Sequence, residues 1–188
     1  MRAQVLHRAA PIGDAPLALE DRALPEPGPR EARVRVSVCA CCRTDLHVVE
    51  GDLELPMLPV VPGHQVVGVV DAIGDACTRL AVGQRVGVAW LHETCGRCEF
   101  CRRGEENLCV AARFTGWTAD GGYADALLVP EDFAVLLPPD VPDLEVAPLL
   151  CAGVIGYRAL RRAEVQPGEL SRADGVISEG REVCCRGV

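Results

Sequence analysis

The chain has 188 residues, 49% of them hydrophobic and 24% charged, the mix of a soluble globular protein with room for one large or two small domains. Its formal charge of −8, with all 19 basic residues arginine, carries no nucleic-acid footprint. No apolar run approaches the roughly 20 residues of a membrane span, and the opening Met1–Leu6 lacks the apolar stretch of a signal peptide, so neither a membrane nor a secretory role is expected, and a cytoplasmic location is.

Taken in chain order, the predicted elements are mostly short strands. Met1–Leu6 reads as an edge strand. Ala15–Arg30 holds Pro16, Pro25, Pro27 and Pro29 and reads as turns and extended chain. Ala32–Val38 alternates arginine with small or β-branched residues, a half-buried strand. Cys42–Glu50 can make one or two helical turns. Pro56–Pro62 is a proline-punctuated loop leading to Gly63-His64. Val66–Ile73 is strongly β-prone, interrupted by Gly68. Gly83–Val88 is a turn followed by a strand. Gly121-Gly122 turns the chain into a strand over Tyr123–Val129, and Phe133–Leu137 is a further one. Val146–Leu160 is the first long helical stretch, broken by Gly153 and Gly156. Short strands, glycine turns and few helical periods predict a mainly β fold: a small, partly open β-barrel with few helices.

Between two of these strands sits Cys95-x2-Cys98-x2-Cys101-x7-Cys109, four thiols within fifteen residues. None of the intervening residues builds an apolar face. Soft sulfur donors at short, fixed intervals suit a closed tetrahedral zinc site, which leaves no position for chemistry and serves to order an irregular lobe, here about residues 92–112. Four sulfurs do not by themselves distinguish zinc from iron. Arg97, Arg102 and Arg103 either offset thiolate charge or lie solvated. The 11 cysteines are an odd number. With no signal peptide, and with adjacent pairs at Cys41-Cys42 and Cys184-Cys185, reduced metal-binding thiols fit better than a disulfide scaffold.

A second set of potential ligands is scattered: Cys39, Cys41, Cys42, His47, His64, Cys77, His92 and Cys151. Zinc with mixed Cys and His ligands and an open fourth position is the catalytic pattern. His64 stands out because it follows Pro62-Gly63 and opens a strand. The residue types alone do not choose among the other candidates.

The segments Cys42-Arg43-Thr44-Asp45-Leu46-His47, Pro62-Gly63-His64, the four-cysteine lobe and Leu150-Cys151-Ala152-Gly153 together resemble the catalytic, GroES-like domain of zinc-dependent medium-chain alcohol dehydrogenases. The resemblance runs from Ala3 to about Leu170, the first part of a longer family member. It implies a GroES-like domain over 1–170 and two zinc ions per chain. Cys42, His64 and Cys151 would hold the catalytic zinc; Cys95, Cys98, Cys101 and Cys109 would hold the structural one. It further implies that Thr44 takes the alcohol proton and passes it toward His47, that Asp45 holds His64 by its free ring nitrogen, and that Arg43 meets the pyrophosphate of NAD. Trp90 and Trp117 resemble residues that narrow the pocket for small primary alcohols; core packing is the alternative. Cys39, Cys41 and Cys77 read as ordinary small buried residues. Gln65 departs from the glutamate common after the histidine ligand. A small alcohol or aldehyde is the expected partner, with a homo-oligomer possible for the complete protein.

The resemblance would continue after Leu170 with a buried strand and a G-x-G-x-x-G turn opening a nucleotide-binding domain. No such fingerprint is present in Ser171–Val188. Residues 171–188 read as an aberrant, disordered tail from a frameshift or premature end, a short native tail being the alternative. The expectation is zinc binding without appreciable turnover, and an exposed surface around Cys151. A non-catalytic remnant, a subunit needing a separate cofactor domain, and a thiol-based redox or metal sensor are the other readings.

Overall fold

The computed structural model describes residues 1–164. The tail 171–188, and the end of the domain expected over 1–170, lie outside the described residues. Nine strands are found among the described residues: β1 (Arg2–Leu6), β2 (Leu17–Asp21), β3 (Glu31–Ala40), β4 (Gln65–Ile73), β5 (Arg85–Val88), β6 (Leu91–Glu93), β7 (Arg113–Phe114), β8 (Ala126–Pro130) and β9 (Ala134–Leu136). The α-helices are α1 (Arg43–Glu50), α2 (Glu99–Arg102), α3 (Asp143–Val146) and α4 (Ala152–Ala163). None is long and apolar enough to cross a membrane.

The centre is a curled five-stranded antiparallel sheet in the order β8-β3-β4-β5-β9. This is the mainly β, half-barrel architecture expected from the strand pattern. Its inner face is built from the alternating residues of those strands: Val34, Val66, Val70, Val86, Val88, Leu127 and Val129 are all buried. Gly68 does not interrupt β4; it pairs with Val36 beside a register shift, where the strands bend over one another. A second apolar cluster (Leu6, Val48, Val49, Val60) docks α1 onto the chain entering β4.

One sequence expectation is refined and another corrected. Within Ala15–Arg30, expected as turns and extended chain, Leu17–Asp21 forms β2, which pairs along the whole of β1. It is a mostly exposed ribbon strand, so it lacks the apolar alternation that betrays a half-buried strand. The helical stretch at the end breaks at Cys151 (φ −128°, ψ −77°), not at the glycines, and α4 runs through both Gly153 and Gly156. Upstream of Cys151 the chain forms α3 and a 3-10 turn over Ala147–Leu150.

One buried carboxylate ties two connections together. Glu131 follows β8, and its side chain is fully buried. Its Oε2 accepts from the amides of Thr78 and Arg79, both at 2.7 Å. Its Oε1 lies 3.1 Å from Arg30 Nη2 as an ion pair, off the hydrogen-bond direction. The Arg79 amide holds the carboxyl below its usual range against the opposing effect of burial, with Thr78 and Arg30 adding. A depressed folded-state pKa gives stability that is present above the unfolded value near 4.5 and lost as pH falls through the folded value. Glu131→Gln is therefore expected to lower the melting temperature at pH 7, with the gap between wild type and variant narrowing as pH falls below 4.5 toward the folded-state value. Thermal melts of both proteins across this pH range check this; a gap that is constant with pH overturns the assignment.

Candidate metal centres

Two clusters of ligand atoms are assembled among the described residues: Cys42 with His64 and Cys151, and Cys95 with Cys98, Cys101 and Cys109. Within each, the ligand atoms lie within 4.8 Å of one another. All nine described cysteines are free thiols.

The first cluster is built around the start of α1. Cys42 is the N-cap, in extended conformation, and its Sγ accepts from the Thr44 amide at 3.3 Å. Asp45 completes a capping box: its Oδ2 accepts from the Cys42 amide at 2.8 Å. The other oxygen of the same carboxylate, Oδ1, accepts from His64 Nδ1 at 2.9 Å, with both side chains buried. That bond assigns the proton to Nδ1 and turns Nε2 inward, 3.5 Å from Cys42 Sγ. Gly63 makes the approach possible. Its φ is +97°, and a Cβ there would lie 2.6 Å from the Tyr123 ring and 2.9 Å from Cys39 Sγ. Cys151 arrives from the break before α4 and places its Sγ 3.9 Å from Cys42 Sγ.

These separations suit one ion. With metal–sulfur bonds of about 2.3 Å and metal–nitrogen bonds of about 2.0 Å, a tetrahedron has S···S edges near 3.8 Å and S···N edges near 3.5 Å. The charges suit it as well. Hydrogen bonding to Cys151 holds the Cys42 thiol far below its usual range, against burial, and Cys151 is pushed up in return. Burial would lower His64, but Asp45 and Cys42 outweigh it and hold the ring up at about 9. Three donors are therefore sharing protons that a divalent cation would displace.

The surroundings place the other expected residues. Thr44 is half-buried on the first turn of α1, beside the Cys42 Sγ to which its amide donates. His47 lies one turn further on, half-exposed, with Nδ1 2.7 Å from Asp52 Oδ2. Arg43 is exposed. Trp90 meets the His64 ring edge-on, with centroids 5.0 Å apart at 77°. Trp117 stacks on Trp90 at 5.8 Å and 8°, and Phe114 stacks on it at 5.2 Å. Both tryptophans also pack on the Leu6–Val48–Val49–Val60 cluster, so this aromatic wall is part of the core packing. Trp117 Nε1 donates to Glu54 O at 2.7 Å, fixing the loop after α1 against this wall. Gln65 is buried and donates from Nε2 to Ala40 O at 3.4 Å.

The other scattered candidates stay out of the cluster. Cys39 is half-buried under Gly63 and Gly122, and burial pushes its thiol up to about 12. Cys77 donates to Glu31 O. Cys41 corrects the expectation of burial, since it is exposed. His92 is buried beside Thr115, and burial, with Arg113 nearby, lowers it to about 4. Sequence reasoning missed Phe114 and Asp52. Neither belongs to a short motif, and each reaches the site by stacking or by folding back over the left-handed Gly51 that ends α1.

The second cluster closes the lobe between β6 and β7, whose pairing of Leu91 with Phe114 and Glu93 with Arg113 forms its neck. Cys98 and Cys101 Sγ are 3.5 Å apart, and Cys95 and Cys109 Sγ 3.6 Å. Backbone amides point at the sulfurs: Cys98 N at Cys95 Sγ, and Cys95 N and Ala111 N at Cys109 Sγ, each at 3.4 Å. The amides of Arg97 and Cys98 lower the Cys95 thiol to about 6, while burial, with Cys98 and Cys109 adjacent, pushes Cys101 up to about 11. Of the residues from Cys95 to Val110 only Cys109 is buried. Arg103 is engaged with Glu105, Glu99 and the Phe100 ring rather than with the thiols.

With this geometry in hand, comparison with known proteins is specific. The profile of the alcohol dehydrogenase GroES-like domain matches residues 28–139. A probable alcohol dehydrogenase, AdhA, of Mycobacterium tuberculosis is 51% identical over 173 residues, which is 89% of this chain and 50% of that protein. Among solved structures, a cobalt- and zinc-bound thermostable alcohol dehydrogenase from Pyrobaculum aerophilum superposes with a TM-score of 0.81 at 30% identity, covering 90% of this chain and 50% of that one. A cinnamyl alcohol dehydrogenase from Sorghum bicolor gives 0.79 at 35% identity, covering 89% and 49%. The chain thus spans about half the length of the curated relatives it matches. The matched residues contain β3 to β9, α1 with its cap, His64 and the whole cysteine lobe, and on that match the chain belongs to the alcohol dehydrogenase GroES-like domain family.

Proposed function

We propose that this chain is the zinc-carrying, substrate-facing part of an alcohol dehydrogenase that converts a small primary alcohol to its aldehyde with NAD. The observation that carries this reading is the three-sided cluster of Cys42, His64 and Cys151, whose spacing suits a tetrahedral ion with one side left for substrate, next to a tryptophan wall. When bound, zinc at these residues supplies electrophilic polarisation of the alcohol, and NAD supplies the hydride acceptor. A second zinc belongs to Cys95, Cys98, Cys101 and Cys109, where four sulfurs leave no open side and the work is structural.

The chain's own residues do the rest. Asp45 fixes the ring of His64 and the backbone of Cys42 with one carboxylate. Thr44, beside Cys42, accepts the alcohol proton as it gives its own hydroxyl proton on toward His47. His47, three residues on and on the same helix face, passes it to water. Trp90 and Trp117 narrow the space before His64 and exclude water. Arg43, exposed at the first position of α1, offers the cation for the pyrophosphate of NAD. A reducing cytoplasm suits the free thiols.

A second reading has one specific observation in its favour: no G-x-G pair is present anywhere in the 188 residues, so the usual glycine turn for dinucleotide phosphates is not supplied by them. On this reading these residues form a zinc-stabilised module, and the dinucleotide phosphates are held by residues outside them. The purified chain is expected to hold two zinc ions, to leave NADH fluorescence unchanged at micromolar concentration, and to show negligible NAD-dependent ethanol oxidation. Elemental analysis, fluorescence titration and an absorbance assay check the three. Turnover comparable to a full-length relative overturns the second reading. A single zinc, confined to the lobe, overturns the mixed-ligand centre.

A further inference from the structure

The three side chains of the mixed site are not held alike. Cys42 and His64 are fixed to each other by Asp45. Cys151 comes from 109 residues further along than Cys42. Its backbone bonds among the described residues are local: the amide donates to Pro148 O, and the carbonyl accepts from Ile155 N. The helix that follows, α4, buries none of its residues. Among the described residues, the contacts that tie this segment to the sheet lie upstream of Cys151.

Upstream, one side chain gathers the segment between β9 and α3. Arg85 opens β5, and its guanidinium uses all three nitrogens. Nε donates to Asp143 Oδ1 at 2.7 Å, Nη1 to Pro138 O at 2.6 Å, and Nη2 to Val141 O at 2.7 Å. The side chain is 22% exposed, so these charge-assisted bonds are largely sheltered from water. Their planar, forked geometry is one that lysine cannot reproduce. Two residues along β5, Gly87 provides the second hold. Leu150, immediately before Cys151, lies so close that a Cβ at position 87 would sit 2.8 Å from its Cδ2 and 3.1 Å from its Cδ1. Between the two holds, Val146 and Ala147 are buried against Val67. The segment is therefore clamped to β5 at its start by Arg85 and at its end over Gly87, and Cys151 is the next residue.

We infer that Arg85 and Gly87 are positioning residues for the third metal ligand. The clamp sets the distance from Cys151 Sγ to the Cys42–His64 pair, and with it the metal affinity of the mixed site. The partners of the clamp named here all lie outside the four-sulfur lobe. The inference rests on the two-ion reading proposed above. Metal–ligand bonds tolerate only about 0.2 Å of displacement, so a shift of the 3-10 turn that carries Leu150 is felt at the ion.

The test titrates cobalt(II) into the wild-type chain and into Arg85→Met, Arg85→Lys and Gly87→Ala, reading the visible spectrum and equilibrium dialysis. Wild type is expected to take up two ions with distinct spectra. Arg85→Met and Gly87→Ala are expected to keep the four-thiolate spectrum of the lobe and to bind the mixed-site ion about 10- to 100-fold more weakly, the range for supporting residues around a metal. Arg85→Lys keeps the charge without the fork and recovers only part of the loss. Unchanged affinity and spectrum at the mixed site in both Arg85→Met and Gly87→Ala overturn the inference and leave the two-ion reading standing. A single ion in wild type overturns that reading, and the inference with it. If Arg85→Met also loses the lobe spectrum through general unfolding, Gly87→Ala, which deletes no hydrogen bond, decides.

Discussion

Replacing Cys98 by serine is expected to cost the chain one bound metal ion and the ordered structure of the lobe, while the five-stranded sheet stays folded. The lobe has almost nothing else to hold it. From Cys95 to Val110 only Cys109 is buried, and α2 is a single turn of four residues, too short to persist without tertiary support. The neck is two strands of three and two residues. A structural zinc in small peptides contributes on the order of 10–16 kcal/mol, as much as the whole stability of a typical domain, about 5–15 kcal/mol. Nothing in the lobe compensates for such a loss. Amide hydrogen exchange read by mass spectrometry, with metal content measured in parallel, checks the prediction. Slow exchange retained between Cys95 and Cys109 in the variant shows that the lobe is held by something other than the metal.

Asp45→Asn is expected to weaken metal binding at the mixed site while the lobe keeps its ion. One carboxylate accepts from both the Cys42 amide and His64 Nδ1, and an amide has only one oxygen to offer. If that oxygen stays on Cys42, the NH2 group faces the ring, and His64 must move its proton from Nδ1 to Nε2. The nitrogen that points at Cys42 then carries a hydrogen in place of a lone pair. Loss of such a partner typically costs about 10- to 100-fold in metal affinity. Asp45→Ala loses the same hold and also leaves the Cys42 amide unpaired, which adds roughly 1 kcal/mol of helix-cap destabilisation. Chelator competition measures the affinity, and nitrogen-15 shifts of His64 report which ring nitrogen is protonated. Wild-type affinity with the proton still on Nδ1 removes Asp45 from the site's support.

The parts of the site that were legible in the chain are those whose partners are close along it or that form recognisable short segments. The lobe could be read from spacing alone, since thiols three residues apart converge after one turn of backbone. The cap of Cys42 with Asp45 is local too, but cysteine is not a usual capping residue, so the sequence suggested only helical turns over Cys42–Glu50. Cys42, His64 and Cys151 became a set only through resemblance, because ligand types scattered over 110 residues carry no distance information. The structure brings those three together and leaves Cys39, Cys77 and His92 apart. β2 was invisible because its reason to be a strand is its pairing with β1, and its own mostly exposed residues show no buried face. The glycines of α4 looked like breaks because glycine lowers helix propensity, a preference of about 1 kcal/mol that neighbouring turns override.

The sequence by itself determined the class of the fold, the four-sulfur lobe and helical turns over Cys42–Glu50, because strand alternation, cysteine spacing and helix propensity act between residues a few positions apart. The tertiary structure alone decided that one aspartate serves both Cys42 and His64. It alone decided that Trp90 and Trp117 stack into a wall before the ring, and that Arg85 and Gly87 hold the segment delivering Cys151. Those arrangements come from contacts between distant segments, each worth little by itself. They are selected together when the sheet curls and α1 and the 3-10 turn settle against it, and no local string of residues records which of them will meet.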